Sequence, residues 1–252
     1  MKSSQDRKFK CWAAVCGGCD GGPSNEHLLS KNLFPEGAVQ VSGFPWCEGE
    51  TKSIGINGLQ RQILCRAHNS ALSEVDAEAM KAVENFQRAA SHRNSAHLSM
   101  DSIDGKKLER WLLKTAINLS YEGIFHIGVG MNGSVPGLPS PYLIDVAFGK
   151  LPFTHKMGAH FLLPEKETLH NPNQIAVSPI FKDGHIGGFY FDLRSQAIFL
   201  NLFPGHTPPT LGTVAEKMHL QTPILDATLV YRPLVVATES NGLQTSLIKF
   251  KW

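Results

Sequence analysis

Hydrophobic residues recur every three or four positions in two segments of the chain, which predicts two amphipathic helices. The first helix begins near Ser70 and runs to about Ala90, and its apolar positions are Leu72, Val75, Ala79, Val83, Phe86 and Ala90. The second follows Asp104-Gly105, and one face carries Leu108, Trp111, Leu112, Thr115, Ala116 and Leu119. Four cations lie largely off that face: Lys106, Lys107, Arg110 and Lys114. We expect them on a solvated surface, with a phosphate-contacting stripe as the alternative.

Beyond residue 141 the pattern changes to short apolar runs, which predict an antiparallel sheet packed against the second helix. The predicted strands are Tyr142–Phe148, Ala159–Leu163, Gln174–Phe181, Gly187–Leu193, Ala197–Leu202, Thr228–Val236 and Leu243–Phe250. Asp183-Gly184 and Asn241-Gly242 stand between such runs and are typical of hairpin turns. The aromatic residues of Ile186–Asp192 fit alternation into a core, with a platform for stacking a base as the alternative.

The segment before the first helix is rich in glycine and cysteine. Its central insert, Glu36–Asn57, contains several turn residues, but Val39, Val41, Phe44 and Trp46 indicate a pair of short strands there. The change of pattern after the first helix predicts two domains, residues 1–98 and 99–252, in an α+β protein.

Composition and charge narrow the class of protein only slightly. The chain has 252 residues, of which 42% are hydrophobic and 18% charged, as expected of a globular protein. The formal net charge is +2, and no polybasic block indicates nucleic-acid binding. No apolar run is long enough to cross a membrane and the N-terminal residues lack the apolar core of a secretion signal, so we expect a cytoplasmic protein.

The cysteines predict a structural zinc site. Two pairs with two intervening residues, Cys16-Gly-Gly-Cys19 and Cys65-Arg-Ala-His68, suit a closed tetrahedral ion. Cys11 competes for a place in the first pair, either with Cys16 or with Cys19. Cys47 is expected to be a spare or buried thiol.

Three polar residues adjoin these pairs: Glu26 and His27 after the first, and Asn69 after the second. Carboxylate and amide oxygens suit a hard divalent cation, and an imidazole that titrates near neutrality can take a proton from water. Each residue also has a structural alternative. Glu26 can be a solvated acid, His27 a polar hairpin residue and Asn69 a helix N-cap.

This arrangement resembles the HNH (His-Asn-His, ββα-metal) endonuclease superfamily, and most closely the branch that includes phage recombination endonuclease VII and short bacterial proteins. The likeness covers about residues 11–90. It implies a zinc-stapled treble-clef ββα-metal domain in which Glu26 and Asn69 bind a catalytic Mg²⁺ or Mn²⁺ and His27 is the general base. It also implies a weaker phosphate contact from Arg61.

The resemblance predicts a metal-dependent endonuclease that hydrolyses DNA, with RNA as the alternative substrate. By analogy, residues 99–252 are a sensor or targeting domain, as in restriction or antiviral defence. The competing hypothesis is a non-catalytic treble-clef zinc module that binds nucleic acid or protein. The sequence leaves open whether two copies pair as a homodimer.

Overall fold

The computed structural model shows a mixed α+β protein with several antiparallel sheets. The residues that it describes are 11–34, 38–41, 50, 52–91, 98–99, 102–121, 126–127, 139–154, 156–164, 175–182, 185–194, 196–202, 227–240 and 243–252. The expectation for Cys47 lies outside these residues, as do positions 36–37 and 42–49 of the insert.

Both predicted helices are confirmed, and two short helices accompany them. The α-helices of the described residues are α1 (Arg66–Ala71), α2 (Ser73–Ser91), α3 (Gly105–Tyr121) and α4 (Pro141–Ala147), and short 3₁₀ turns lie at Ala14–Cys16, Lys31–Leu33 and Ile56–Leu59. Helix α3 is buried on nearly all sides because it packs against α2, α4 and strands of the sheets. Within the described part of the chain, no helix combines the length and the apolar character needed to span a bilayer.

The strands fall into two short pairs and two larger sheets. They are β1 (Pro23–His27), β2 (Ala38–Val41), β3 (Lys52–Gly55), β4 (Gln60–Cys65), β5 (Leu98–Ser99), β6 (Ile103–Asp104), β7 (His126–Ile127), β8 (Gly158–Pro164), β9 (Ile175–Lys182), β10 (His185–Leu193), β11 (Gln196–Asn201), β12 (Ala227–Tyr231), β13 (Val235–Ser240) and β14 (Leu243–Lys251). Strand β2 includes Val39 and Val41 of the expected pair of short strands, and it pairs with β3; Phe44 and Trp46 lie outside the described residues.

A strand–strand–helix unit forms the first part of the fold. Strand β1 runs antiparallel to β4, with Pro23 opposite Cys65 and His27 opposite Gln60. Helix α1 starts directly after β4, with Cys65 as its N-cap residue. The unit therefore brings the end of β1 and the start of α1 to the same part of the molecule.

The larger of these two sheets has six strands among the described residues. Five of them are in the order β12-β8-β11-β10-β7, and the sixth, β9, also pairs with β10. Strands β9 and β10 are antiparallel, and so are β13 and β14, as the two hairpin signals predict. The rings of Phe189, Tyr190 and Phe191 are buried, and Phe191 lies 6.1 Å from the ring of Trp111 in α3. These aromatic residues belong to the core, so they do not form a platform for a base.

The predicted strand Tyr142–Phe148 is wrong, because this segment forms α4. The Ser140 hydroxyl caps the helix by accepting from the backbone N–H of Leu143 at 3.4 Å. Pro141 occupies the first helical position, where its fixed φ favours a helix and its missing N–H is not needed. The capping signal was present in the sequence and outweighed the apolar run.

The predicted strand Thr228–Val236 is two strands, β12 and β13, separated at Arg232-Pro233. Arg232 has φ 45°, a left-handed backbone that ends the regular ladder. Its guanidinium donates to both carboxylate oxygens of Glu109 in α3, at 2.9 and 2.8 Å. Glu109 also accepts from the backbone N–H of Ala159 at 2.7 Å, and Gly158, with φ +107°, leaves room for its carboxylate. This ion pair fastens α3 to the sheet.

We predict that Arg232→Met lowers the free energy of unfolding by about 3 kcal/mol, because it leaves the buried Glu109 carboxylate without its cation. This is the low end for a buried pair, since the Arg232 side chain is 24% exposed. Urea unfolding followed by circular dichroism measures the change. Lys107→Met is the matched control, because Lys107 lies on the same helix but pairs with Glu74 at the surface. Equal losses in the two variants would contradict the prediction.

Candidate functional site

Three cysteines and one histidine form a compact cluster: Cys11, Cys19, Cys65 and His68. One ligand atom from each lies within 4.8 Å of all the others. From His68 Nδ1, the distances to Sγ are 3.2 Å for Cys65, 3.3 Å for Cys11 and 3.6 Å for Cys19. Ligand atoms bound tetrahedrally to zinc lie about 3.5 to 3.8 Å apart, so the cluster can hold a structural metal ion such as zinc.

A strand–helix junction presents Cys65 and His68, and a backbone hydrogen bond from a distant segment places Cys11 beside them. Cys65 is the last residue of β4 and His68 is in the first turn of α1, so the two-residue spacing places both side chains on one side. The backbone N–H of Trp12 donates to the Ile63 carbonyl at 3.0 Å, which fixes Cys11 beside the end of β4. Behind the cluster, the ring of Phe148, next to α4, packs edge-on against His68 at 5.3 Å.

The preferred pairing of Cys16 with Cys19 is wrong for this cluster, and Cys11, the competing candidate, takes the place of Cys16. A short 3₁₀ turn at Ala14–Cys16 separates the two thiols. It directs Cys16 Sγ toward Asp145 Oδ1, 3.8 Å away. Cysteine spacing alone did not show which thiol is held against β4.

The thiols differ in their tendency to ionise. Burial raises the pKa of Cys11 to about 12. Burial acts to raise the pKa of Cys65, but hydrogen bonds from the backbone, that of His68 foremost, and from the neighbouring thiols together outweigh it and lower the pKa. Metal binding needs thiolates, so an ion entering this cluster must displace protons.

A cleft of about 300 Å³ adjoins the strand–strand–helix unit, and Glu26, His27 and Asn69 all line it. Glu26 and His27 come from the end of β1, and Asn69 comes from α1. The sequence-predicted trio is therefore brought to one cavity. Other lining residues are Ser30, Lys31, Asn32, Leu33, Ser70, Ser73, Asp76, Met80 and Lys114.

Two members of the trio have hydrogen bonds that fix their orientation. Nε2 of His27 lies 3.0 Å from the amide nitrogen of Gln60. An amide nitrogen only donates, so Nε2 is the acceptor in this contact. The amide nitrogen of Asn69 donates to the Ser24 hydroxyl at 2.8 Å. Its oxygen Oδ1 is therefore the atom that can coordinate a cation.

Glu26 is buried and already faces a cation of the protein. Its Oε1 lies 2.7 Å from Nζ of Lys114 and 3.4 Å from the amide nitrogen of Asn118. Both partners are in α3, which the sequence analysis assigns to the second domain. The described contacts thus cross the predicted boundary at residue 98, and the cleft includes a side chain from beyond it.

Arg61 is not among the residues that line the cleft. Its guanidinium donates to the carbonyl oxygens of Gly58 and Gln60 at 2.9 and 2.8 Å. These contacts hold it along β4 in this conformation, and the predicted phosphate contact stays a prediction.

Lys114 and Asp76 were missed by the sequence analysis. Lys114 was expected on a solvated helix face, yet its side chain is only 3% exposed. It lies three residues after Trp111, about 60° away around the helix, so it belongs to the inward face. That spacing was a usable signal. The Asp76 carboxylate accepts from the Ser30 hydroxyl and from the Lys114 ammonium group.

No protein-family model matches the chain, and neither a curated protein nor a solved structure matches it. The resemblance to HNH endonucleases therefore rests on the motif residues.

We predict that Cys11→Ser and Cys19→Ser each lower the zinc content of the purified protein well below one ion per chain. Cys16→Ser is the matched control and should keep a full equivalent, because its thiol lies outside the cluster. Inductively coupled plasma mass spectrometry measures the zinc. Loss of zinc in Cys16→Ser comparable to that in Cys11→Ser would contradict the assignment.

Proposed function

We propose that the protein is a metal-dependent endonuclease that hydrolyses phosphodiester bonds of DNA in the cleft beside the Cys/His cluster. The observation that carries the proposal is the convergence of Glu26, His27 and Asn69 on one cavity. In this proposal the strand–strand–helix unit is a treble-clef ββα-metal domain, and zinc at the Cys/His cluster is structural. A closed set of four ligands leaves such an ion no open position for substrate.

The donor atoms of the cleft fit a hard cation such as Mg²⁺ or Mn²⁺. Glu26 offers a carboxylate oxygen and Asn69 offers Oδ1. Magnesium commonly binds through one or two carboxylates and keeps several waters, so a small set of protein ligands suffices. When bound, the cation would neutralise charge that develops on the phosphate and on the departing 3′-oxygen.

His27 performs the proton transfer in this mechanism. A water that replaces the Gln60 amide at Nε2 would donate its proton to the imidazole and attack phosphorus in line with the leaving oxygen. Gln60 lies directly opposite His27 across the strand pair, so it orients the ring until substrate and water enter. Lys31 also lines the cleft and supplies positive charge for the phosphate backbone.

A second function has one observation in its favour. The Glu26 carboxylate is already engaged by Lys114, an arrangement that needs no metal ion. This suits a non-catalytic treble-clef zinc module that binds nucleic acid or protein. Cleavage of nucleic acid separates the two hypotheses.

We predict that the protein nicks supercoiled plasmid in the presence of Mg²⁺ or Mn²⁺, and that His27→Ala reduces the rate by about 10²- to 10⁴-fold, the usual contribution of a general base. Asn69→Ala should raise the metal concentration needed for half-maximal rate. Gel analysis of the nicked circle over time measures both. A parallel reaction with single-stranded RNA tests the alternative substrate.

Asn25→Ala is the matched control for Asn69→Ala. Asn25 is an exposed amide on β1 that lies outside the cleft lining, so its rate should equal that of the wild type. Cleavage that survives in both His27→Ala and Asn69→Ala would remove the mechanism. Wild-type protein that holds zinc but cuts neither DNA nor RNA would favour the binding module.

A further inference from the structure

Three residues on one face of α3 make hydrogen bonds to residues that line the cleft. Trp111, Lys114 and Asn118 follow one another at spacings of three and four residues, which places them on one side of the helix. Each of the three side chains is hydrogen-bonded to a residue outside α3. The helix therefore supports the cleft from behind through these polar contacts, and Lys114 itself lines the cleft.

These side chains join a continuous hydrogen-bond network. The indole N–H of Trp111 donates to the Ser30 hydroxyl at 2.8 Å, and that hydroxyl donates to Asp76 Oδ1 at 2.7 Å. At the other end, Asn118 donates to Glu26 Oε1 and accepts from the indole N–H of Trp12 at 3.1 Å. Lys114 stands at the centre and connects Asp76 with Glu26.

The ammonium group of Lys114 is surrounded by carboxylate oxygens. Its Nζ lies 2.7 Å from Glu26 Oε1, 2.7 Å from Asp76 Oδ2 and 3.0 Å from Asp76 Oδ1. An ammonium group has three hydrogens, so these three contacts account for all of them. Lys114 is thus a fixed cation between two acids and is not poised to bind substrate.

The contacts also orient the Glu26 carboxylate. Lys114 and Asn118 both bind Oε1, so Oε2 is the oxygen left to coordinate a cation in the cleft. Partners of this kind behind a metal ligand set its orientation and its charge.

The charges of Glu26, Asp76 and Lys114 do not cancel. Glu26 and Asp76 each carry one negative charge and Lys114 carries one positive charge, so the three side chains sum to −1. Without Lys114 the sum would be −2 in a buried setting where charges are poorly screened. The lysine therefore weakens the attraction of the cleft for divalent cations while it holds Glu26 in place.

We propose that Lys114 is a positioning residue of the site, a built-in cation from α3 that orients Glu26 and limits the affinity of the cleft for the catalytic metal ion. This inference rests on the proposed function, in which Glu26 binds that ion. The site is then built from two parts of the fold, because Glu26 comes from β1 and the side chain that orients it comes from α3.

The test is Mn²⁺ titration of the full-length, zinc-loaded protein, with free Mn²⁺ followed by electron paramagnetic resonance. We expect Lys114→Met to bind Mn²⁺ more tightly, by about tenfold or more, because a repelling positive charge is removed. The same variant should nick plasmid about tenfold more slowly at saturating Mn²⁺, because Glu26 is no longer oriented. A role in folding alone would not tighten metal binding while slowing turnover.

A double variant tests the charge argument and guards against misfolding. Lys114→Met/Asp76→Asn restores the sum of −1, so its Mn²⁺ affinity should return to that of the wild type. Lys107→Met, the same substitution on the exposed side of α3, should change neither affinity nor rate. Zinc content and near-ultraviolet circular dichroism show that each variant is folded.

The outcomes separate the inference from the proposed function. Folded Lys114→Met that binds Mn²⁺ as the wild type does, or more weakly, overturns the role of Lys114 and leaves the nuclease proposal standing. Glu26→Gln that titrates Mn²⁺ like the wild type overturns the metal site itself. Tighter binding in Lys114→Met that is reversed in the double variant supports the inference.

Discussion

Helix α3 carries two buried charges of opposite sign, and the need to neutralise both fixes how the molecule is assembled. Glu109 pairs with Arg232 at the end of β12, and Lys114 pairs with Glu26 of β1 and Asp76 of α2. A buried charge without a partner is strongly destabilising, so α3 can occupy its place only if both sets of partners are present. The helix is therefore fixed between the larger sheet and the strand–strand–helix unit.

The Cys/His cluster lies where a glycine-rich segment of little apolar content, the one that contains Cys11 and Cys19, meets the rest of the fold. Cys11 and His68 are 57 positions apart, and the glycine-rich segment after Cys16 has few residues to bury. A metal ion bound by Cys11, Cys19, Cys65 and His68 would replace the missing core at that end of β4 and add folding free energy directly. The same ion would hold α1, and with it Asn69, beside the end of β1.

The sequence predicted elements well where the local signal agreed with the tertiary setting. The helical periodicity before residue 90 and after residue 105, and the hairpin signals at 183–184 and 241–242, correspond to observed helices and antiparallel pairs. The prediction was wrong where an apolar run suggested a strand and a capping or chain-breaking residue within it indicated otherwise. An apolar run masked the Ser140-Pro141 helix start, and a run of strand-like residues concealed the break at Arg232-Pro233.

Some residues of the candidate site could likewise be predicted from the sequence, and others could not. The sequence alone determined that Cys65 and His68 share one side of a strand–helix junction, because their spacing is local, and it predicted that Glu26, His27 and Asn69 converge on one site. Only the tertiary structure decided that Cys11 joins the cluster in place of Cys16, and that Lys114 is buried against Glu26 and Asp76. Those choices depend on which distant segments pack together, and side-chain spacing within one segment carries no information about that.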